Sequence, residues 1–392
     1  MKLLFICQHY YPERIDFSDV CKRLVEEGHD VTVLTGLPNY RMEKNRIPKK
    51  YRHRKNRIEK KDGVIIIRCT EFSRRNNFVS RLLNYASFYF SSLHKVKKLD
   101  KDFDRVICYQ YSPITMASCA VKYAKKNHCP LILYCFDLWP ESVKTYNIGE
   151  KNLIYKLADK LSKNAYQNSN IILVTSKPFI EYFTTVHKID QKKIIYLPQF
   201  SQDYSKKLKK VKKDGKIHLL YAGNIGKAQN VRCIIEAIEL LKTKKDYIVD
   251  IVGDGSECLS LINLVNRKNL EEKIIFHGEK SKDELLYFYS LADALLLTMK
   301  DDGTYVSKTL PLKTQSYMST RKPILASING AAKEVINEYK CGYCVDAGDV
   351  KAFATIIENF IDKQPKINYR TNDNFLFEQN YQKLKQIIER TQ

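Results

Sequence analysis

The sequence predicts an α/β protein made of two doubly wound, parallel-sheet domains in tandem. Three observations carry this expectation. Short apolar runs alternate with amphipathic helical patterns along the chain, as in a parallel sheet covered by helices on both faces. The alternation stops over a lysine-rich, unpatterned stretch at 201–216 and then restarts, as at a linker. The length of 392 residues is enough for two or three domains.

In the first half, strands are expected at 3–7, 30–34, 63–68, 105–108, 131–136, 171–175 and 194–197, with helical patterns at 16–27 and 114–126. Glu27-Gly28-His29-Asp30 reads as a helix stop that leads into a strand, since glycine commonly follows the last helical turn. In the second half, strands are expected at 217–222, 247–252, 274–277, 294–298, 323–326 and 342–346. Helices are expected at 231–242, 257–267, 282–292, 312–319 and 350–361, and a last one at 375–389. The domains are therefore 1–200 and 217–373, with 201–216 between them and 374–392 as a closing segment.

Composition narrows the classes of function. The apolar share of 44% suits a protein with real cores. Lys and Arg number 67 against 44 Asp and Glu, a net charge of +23. Such a field favours anionic partners: nucleotides, phospholipids or nucleic acid. Basic residues are spread over both halves and no nucleic-acid-binding module is evident, so nucleic acid is not expected. The 11 cysteines are scattered, mostly in apolar runs, and read as buried thiols of a cytosolic protein. Cys341 and Cys344 have metal-like spacing, but no second pair accompanies them, and no metal is expected. The apolar run after Met1 is too short for a signal core, and no apolar run reaches 18 residues. Membrane contact, if any, is expected to be peripheral. Residues 44–61 hold ten Lys or Arg and one Glu, and an aromatic amphipathic helix follows at 82–93. A basic loop beside such a helix suits an anionic membrane surface.

Three glycine loops follow strands in the second half. Gly223-Asn224-Ile225-Gly226-Lys227 leads into a helix, where glycines admit a ligand close to the backbone and a helix start offers free N–H groups to phosphate. It lacks the ending of a phosphate-binding P-loop and the third glycine of a dinucleotide fingerprint. Gly253-Asp254-Gly255 and His277-Gly278 end the next two strands. Then Ser307-Lys308-Thr309-Leu310-Pro311-Leu312-Lys313 runs into a helix holding Gln315 and Ser316, a basic turn, and the strand Pro323-Ile324-Leu325-Ala326. Lys308 and Lys313 flank the proline, placed to neutralise a diphosphate. In the first half, Asp137-Leu138-Trp139-Pro140-Glu141 lies at a strand end and holds the only tryptophan. Asp137 is a candidate base or charge stabiliser, and its spacing from Glu141 would put both on one face of a helical turn.

These segments together resemble the retaining family-4 glycosyltransferases, over nearly the whole chain. They look most like the subgroup that builds bacterial surface polysaccharides, described as L-fucosamine transferase-like. The resemblance implies the GT-B fold, with two Rossmann-like domains facing across a cleft and the last helix crossing back to the first domain. It implies a nucleotide-diphospho-sugar donor, UDP-linked, and no cofactor. Donor contacts fall on Gly223, Asn224, Gly226, Lys227, Gly253, Asp254, Gly255, His277, Gly278, Lys308, Lys313, Gln315 and Ser316. Acceptor contacts fall on Asn39, Tyr40, Gln110, Ser112, Trp139 and Glu141, and Asp137 takes the catalytic position. The resemblance implies a lipid-linked saccharide as acceptor and a cytoplasmic protein, peripheral at the inner face of the membrane. The chain departs from the family where two glutamates are usual, with Lys308 and Ser316 in their places. It departs also where Arg and Lys usually follow the glycine loop, with Asn224 and Gln229 instead. Two other readings remain open: a GT-B nucleotide-sugar epimerase, and a non-catalytic basic protein that binds nucleotides or nucleic acid.

Overall fold

A computed structural model describes every residue except 14–16, 40–45, 75–77, 147, 213, 306–308, 371–372 and 392. The chain divides into two compact units. One is Met1–Leu197 with Tyr381–Gln392, and the other is Pro198–Asn380.

The first unit is built on β1 (Lys2–Ile6), β2 (Asp30–Thr35), β3 (Ile58–Lys61), β4 (Val64–Arg68), β5 (Arg105–Gln110), β6 (Leu131–Cys135), β7 (Ile171–Val174) and β8 (Ile194–Tyr196). Among the described residues these form one sheet in the order β3-β4-β2-β1-β5-β6-β7-β8. All pairs are parallel except β3 with β4. Leu3 faces Val31 on one side and Arg105 on the other. The order reverses between β1 and β5, the kind of switch point beyond which α/β sheets bind ligands. The helices are α1 (Phe17–Glu26), α2 (Lys49–Arg52), α3 (Phe78–Lys95), α4 (Ala117–Asn127), α5 (Leu153–Gln167) and α6 (Pro178–Thr185). In α1 the buried Phe17, Val20, Cys21 and Leu24 recur every three or four residues, which is one apolar stripe. Phe17 stacks on Tyr109 at 4.3 Å between ring centres.

The second unit holds β9 (Ile217–Ala222), β10 (Tyr247–Val252), β11 (Ile274–Gly278), β12 (Ala294–Thr298), β13 (Ile324–Ser327) and β14 (Gly342–Val345). They form a parallel sheet, order β11-β10-β9-β12-β13-β14, whose switch point lies between β9 and β12. Around it lie α7 (Val231–Glu239), α8 (Cys258–Arg267), α9 (Lys282–Leu291), α10 (Leu312–Met318), α11 (Gly330–Glu338) and α12 (Val350–Lys363). Residues of β9, β10 and β12 are buried throughout, which is why they read as unbroken apolar runs.

Two expectations need correction, on 44–61 and on 201–216. The basic stretch 44–61 is not simply a loop. Within it, Ile58–Lys61 is an antiparallel edge strand, and Glu59 accepts from the buried Arg68 of β4 at 3.1 Å. The stretch 201–216 is held on the second unit: Ser205 N donates to Ser319 O, and Lys209 N to Ser290 Oγ. The last helix, α13 (Phe377–Arg390), carries Tyr381–Arg390 into the first unit. There Lys385 pairs with Glu27 at 2.6 Å. Among the described residues no helix is long and apolar enough to cross a membrane.

Candidate active site

In the second unit the three glycine loops are laced together by their backbones at the switch-point end of the sheet. Gly223 N donates to Val252 O, Ile225 N to Asp254 O, and Gly253 N to Gly278 O. Two glycines are required by contact as well as by conformation. Gly253 has φ +141°, and a Cβ there would lie 1.9 Å from the carbonyl oxygen of Gly223. Gly223 has φ +137°, and its Cβ would lie 2.7 Å from Cε of Lys313. Both conformations are ones that side chains disfavour.

Helix α10 is tied to the same loop. The Tyr317 hydroxyl accepts from Ala222 N at 2.8 Å, at the end of β9. One turn earlier, Lys313 reaches under Gly223. Its Nζ stands 3.7 Å from the centre of the Tyr221 ring, a cation–π distance. The nitrogen is buried and has no hydrogen-bond partner among the described residues. Burial lowers its pKa to about 7, because the charged form has lost its water. An ammonium held in this way against a glycine turn is a ready partner for an anion.

In the first unit the loops after β5 and β6 meet. Oδ2 of Asp137 accepts from Ser112 N at 2.9 Å and from Ser112 Oγ at 2.8 Å. Trp139 Nε1 donates to the same hydroxyl at 3.1 Å. Gln110 Nε2 donates to the Asp137 carbonyl at 3.0 Å. Burial raises the pKa of Asp137, and the two Ser112 bonds act against the rise. Asp137, Ser112, Gln110 and Trp139 thus form one hydrogen-bonded group.

Both halves of the chain match known families. Residues 17–200 match the model of Glycosyltransferase Family 4, and residues 203–374 match that of Glycosyl transferases group 1. The chain belongs to the GT-B glycosyltransferases of the family-4 type. Among solved structures, sucrose-phosphate synthase from Thermosynechococcus elongatus superposes with TM-score 0.76 at 14% identity, over 99% of this chain and 98% of that one. Anabaena Alr3699/HepE, solved with UDP and glucose, gives 0.67 at 15% identity, over 99% of both chains. Superpositions of this extent at such low identity establish the shared GT-B fold alone. Among curated proteins, the "Probable glycosyltransferase WbjE" of Pseudomonas aeruginosa is 23% identical over 248 residues, 59% of this chain and 60% of that protein. N-acetyl-alpha-D-glucosaminyl L-malate synthase of Bacillus anthracis is 24% identical over 136 residues, 35% of this chain and 34% of that protein. The matched length is thus between a third and three fifths of these relatives.

The remaining site candidates of this family-4 chain fall into two groups. Gly226, Lys227 and Asp254 stay on the glycine loops, with Lys227 exposed. Asp254 Oδ1 accepts from the Gly255 N–H at 2.7 Å. Asn224 and Gln229 bond each other at 2.8 Å, and Gln229 Oε1 also accepts from Gly226 N. They shape the loop from within. His277 turns inward, with Nε2 at 2.7 Å from Asp250 Oδ1. Gln315 is buried, its amide nitrogen turned to the Leu312 carbonyl at 3.1 Å in its own helix. Ser316 is half-buried beside it. Lys308 and Tyr40 lie outside the described residues.

Asp137 and Glu141 do not share a helical face. The short helical turn begins only at Glu141, so helical spacing does not reach back to Asp137. Glu141 Oε1 accepts from the Tyr155 hydroxyl at 2.9 Å and Oε2 pairs with Lys144 at 3.0 Å. Asn39 enters a buried cluster that sequence reasoning missed. Its backbone N–H donates to Glu13 at 2.6 Å, and its amide donates to Glu71. Asn84 donates to the same Glu71 oxygen at 2.9 Å. Burial, then the nearby Glu13, push the Glu71 carboxyl well above its usual range. The sequence signal was weak: Glu71 follows β4 by three residues, but Glu13 lies seven beyond the end of β1.

Proposed function

We propose that this protein moves a sugar from a nucleotide-diphospho-sugar, UDP-linked, to a lipid-linked saccharide in cell-surface polysaccharide synthesis, with retention at the anomeric carbon. The observation that carries the reading is the buried Lys313 ammonium beneath Gly223 in the laced glycine loops, without a hydrogen-bond partner among the described residues. The likeness to a protein solved with UDP and glucose supports the choice of nucleotide.

In this reading the second unit holds the donor. Backbone N–H groups of the glycine loops and the Lys313 ammonium meet the diphosphate. They stabilise the charge that grows on it as the sugar leaves. The first unit holds the acceptor at Ser112, Trp139 and Asp137. The acceptor hydroxyl attacks from the side the diphosphate leaves, and its proton passes to the leaving phosphate. Asp137, fixed by Ser112, stabilises positive charge at the sugar. The protein works at an anionic membrane surface, cytoplasmic side, where its net charge of +23 favours attachment.

Thermal stabilisation by a panel of nucleotide-sugars tests the donor. UDP at 100 times its Kd is expected to add about 2.7 kcal/mol. The absence of stabilisation by any nucleotide or nucleotide-sugar removes the reading.

A further inference from the structure

The first unit contains an apolar groove of about 280 Å³ between α3 and α5. Tyr85, Ala86 and Phe90 line it from α3, Leu157 and Leu161 from α5, and Trp139 lies among the lining residues. Trp139 is the residue whose indole N–H holds Ser112 against Asp137. The groove therefore shares a wall with the candidate acceptor site.

Its rim is apolar and open. Phe90 is 69% exposed, Leu157 58% and Leu82 49%. Contiguous apolar surface of this kind marks a binding face. No carboxylate lines the groove among the described residues, and the single charged lining residue is Arg81. Arg81 Nε is buried without a hydrogen-bond partner among the described residues, and its Nη1 reaches only the Tyr146 hydroxyl, at 3.4 Å. Arg81 as a whole is half-buried and its Nη1 lies on the exposed side, so the guanidinium presents its charge at the mouth of the apolar walls, where an anion can meet it. Arg74 stands 5.6 Å from the Tyr85 ring. Helix α3 has no acidic residue along its length, and Lys97 and Lys98 follow it.

We propose that this groove holds the hydrocarbon chain of a lipid phosphate, the carrier of the acceptor sugar, with Arg81 meeting its phosphate. The proposal rests on the function argued above and adds where the carrier lies. A chain of methylene or isoprene units suits an apolar groove, and a phosphate at its head suits the one cation among the described lining residues. A second protein copy would leave that cation facing apolar surface. The phosphate would then sit on the side toward Trp139, where the sugar it carries meets Asp137.

The chain contains one tryptophan, so the fluorescence of Trp139 reports on the groove directly. Farnesyl phosphate is the probe, with farnesol and inorganic phosphate as comparisons. Farnesyl phosphate is expected to change the fluorescence saturably, and farnesol to bind at least about tenfold more weakly. Inorganic phosphate should leave the signal unchanged. Ala86→Phe, which fills the groove, and Arg81→Gln should each weaken farnesyl phosphate by at least about tenfold. Arg81→Gln should leave farnesol unaffected. Stabilisation by UDP, preserved in both variants, shows that they are folded and that the donor site is intact. No saturable signal from farnesyl phosphate, or unchanged affinity in Ala86→Phe, overturns the groove assignment while UDP binding still stands. A dimer in solution that Leu157→Glu dissociates overturns it also. Loss of UDP binding in the unmutated protein would instead strike the glycosyltransferase reading.

Discussion

The Lys313 ammonium faces the Tyr221 ring at 3.7 Å, with no hydrogen-bond partner among the described residues. An anion bound at Gly223 would complete its coordination, and the pH dependence of binding follows. With its pKa lowered to about 7, the free protein is largely unprotonated at Lys313 above that pH. A bound diphosphate favours the charged form, so binding above pH 7 takes up a proton. UDP affinity should fall as pH rises from about 7 to 9, by up to about tenfold per unit. Calorimetry in buffers of different ionisation enthalpy measures the proton uptake. Affinity independent of pH over this range, with no proton uptake, refutes the coupling.

The same depressed pKa has a stability sign. The unfolded chain holds this proton up to a pKa of about 10.4, and the folded chain releases it near 7. The folded state is therefore penalised at pH 7 and below, and the penalty fades as pH rises toward the unfolded value. Lys313→Met should raise the melting temperature of the ligand-free protein at neutral pH and weaken UDP by tenfold or more. A variant that melts lower and binds UDP normally contradicts both assignments.

Asp137 is held at Oδ2 by two bonds from Ser112. Asp137→Asn should lower kcat by about 10²–10⁴-fold and leave UDP affinity within twofold, since the donor site proposed above lies in the other unit. Single-turnover kinetics beside UDP titration separate the two effects. Full activity in the Asn variant ends the catalytic role.

Gly253 has a positive φ and a carbonyl oxygen where its Cβ would be. Gly253→Ala should cost about 1–3 kcal/mol from backbone conformation alone, and more from the clash. UDP binding should fall with it, because Gly223 must move. Gly278 also has a positive φ but nothing within 4 Å of a Cβ, so Gly278→Ala should be milder. Equal melting temperatures for the two variants would mean that loop contact does not matter.

His218 bonds Asp250 at 2.8 Å and Asp214 at 3.2 Å. The Asp250 bond raises its pKa above the usual value. The stabilisation is present in full below the unfolded pKa of about 6.5 and is lost as pH rises through the folded value. Asp250 works in the opposite direction. Burial opposes its charge, but the bonds from His218 and His277 hold its pKa low, so its share is lost only in acid. His218→Phe should cost about 1.5–3 kcal/mol near pH 6 and less near pH 9. Denaturation at the two pH values measures the difference, and an equal cost at both removes the charged pairing.

The sequence showed most of the sheet, because β9, β10 and β12 are buried along their whole length and so appear as apolar runs. It hid β3, whose residues Ile58-Glu59-Lys60-Lys61 pair only at an edge and carry the charge of a surface loop. Helices α5, α6 and α11 also went unread. The glycine loops and Lys313 were legible because turn geometry and charge are local properties. The Asn39–Glu71–Asn84 cluster was not, because its partners lie on three separate segments and no spacing rule connects them. The Asp137–Glu141 spacing misled because no helical turn spans it.

Helix α13 has a consequence for biosynthesis. The first unit is closed by residues from Tyr381 onward, although its main part ends at Leu197. Ribosomes add about 5–20 residues per second, so the 183 intervening residues, 198–380, take roughly 9 to 37 s. During that time the nascent protein displays Arg23, Glu27 and His29 uncovered, the surface that Tyr381, Lys385 and Glu389 later occupy. The unit made first is therefore the unit finished last.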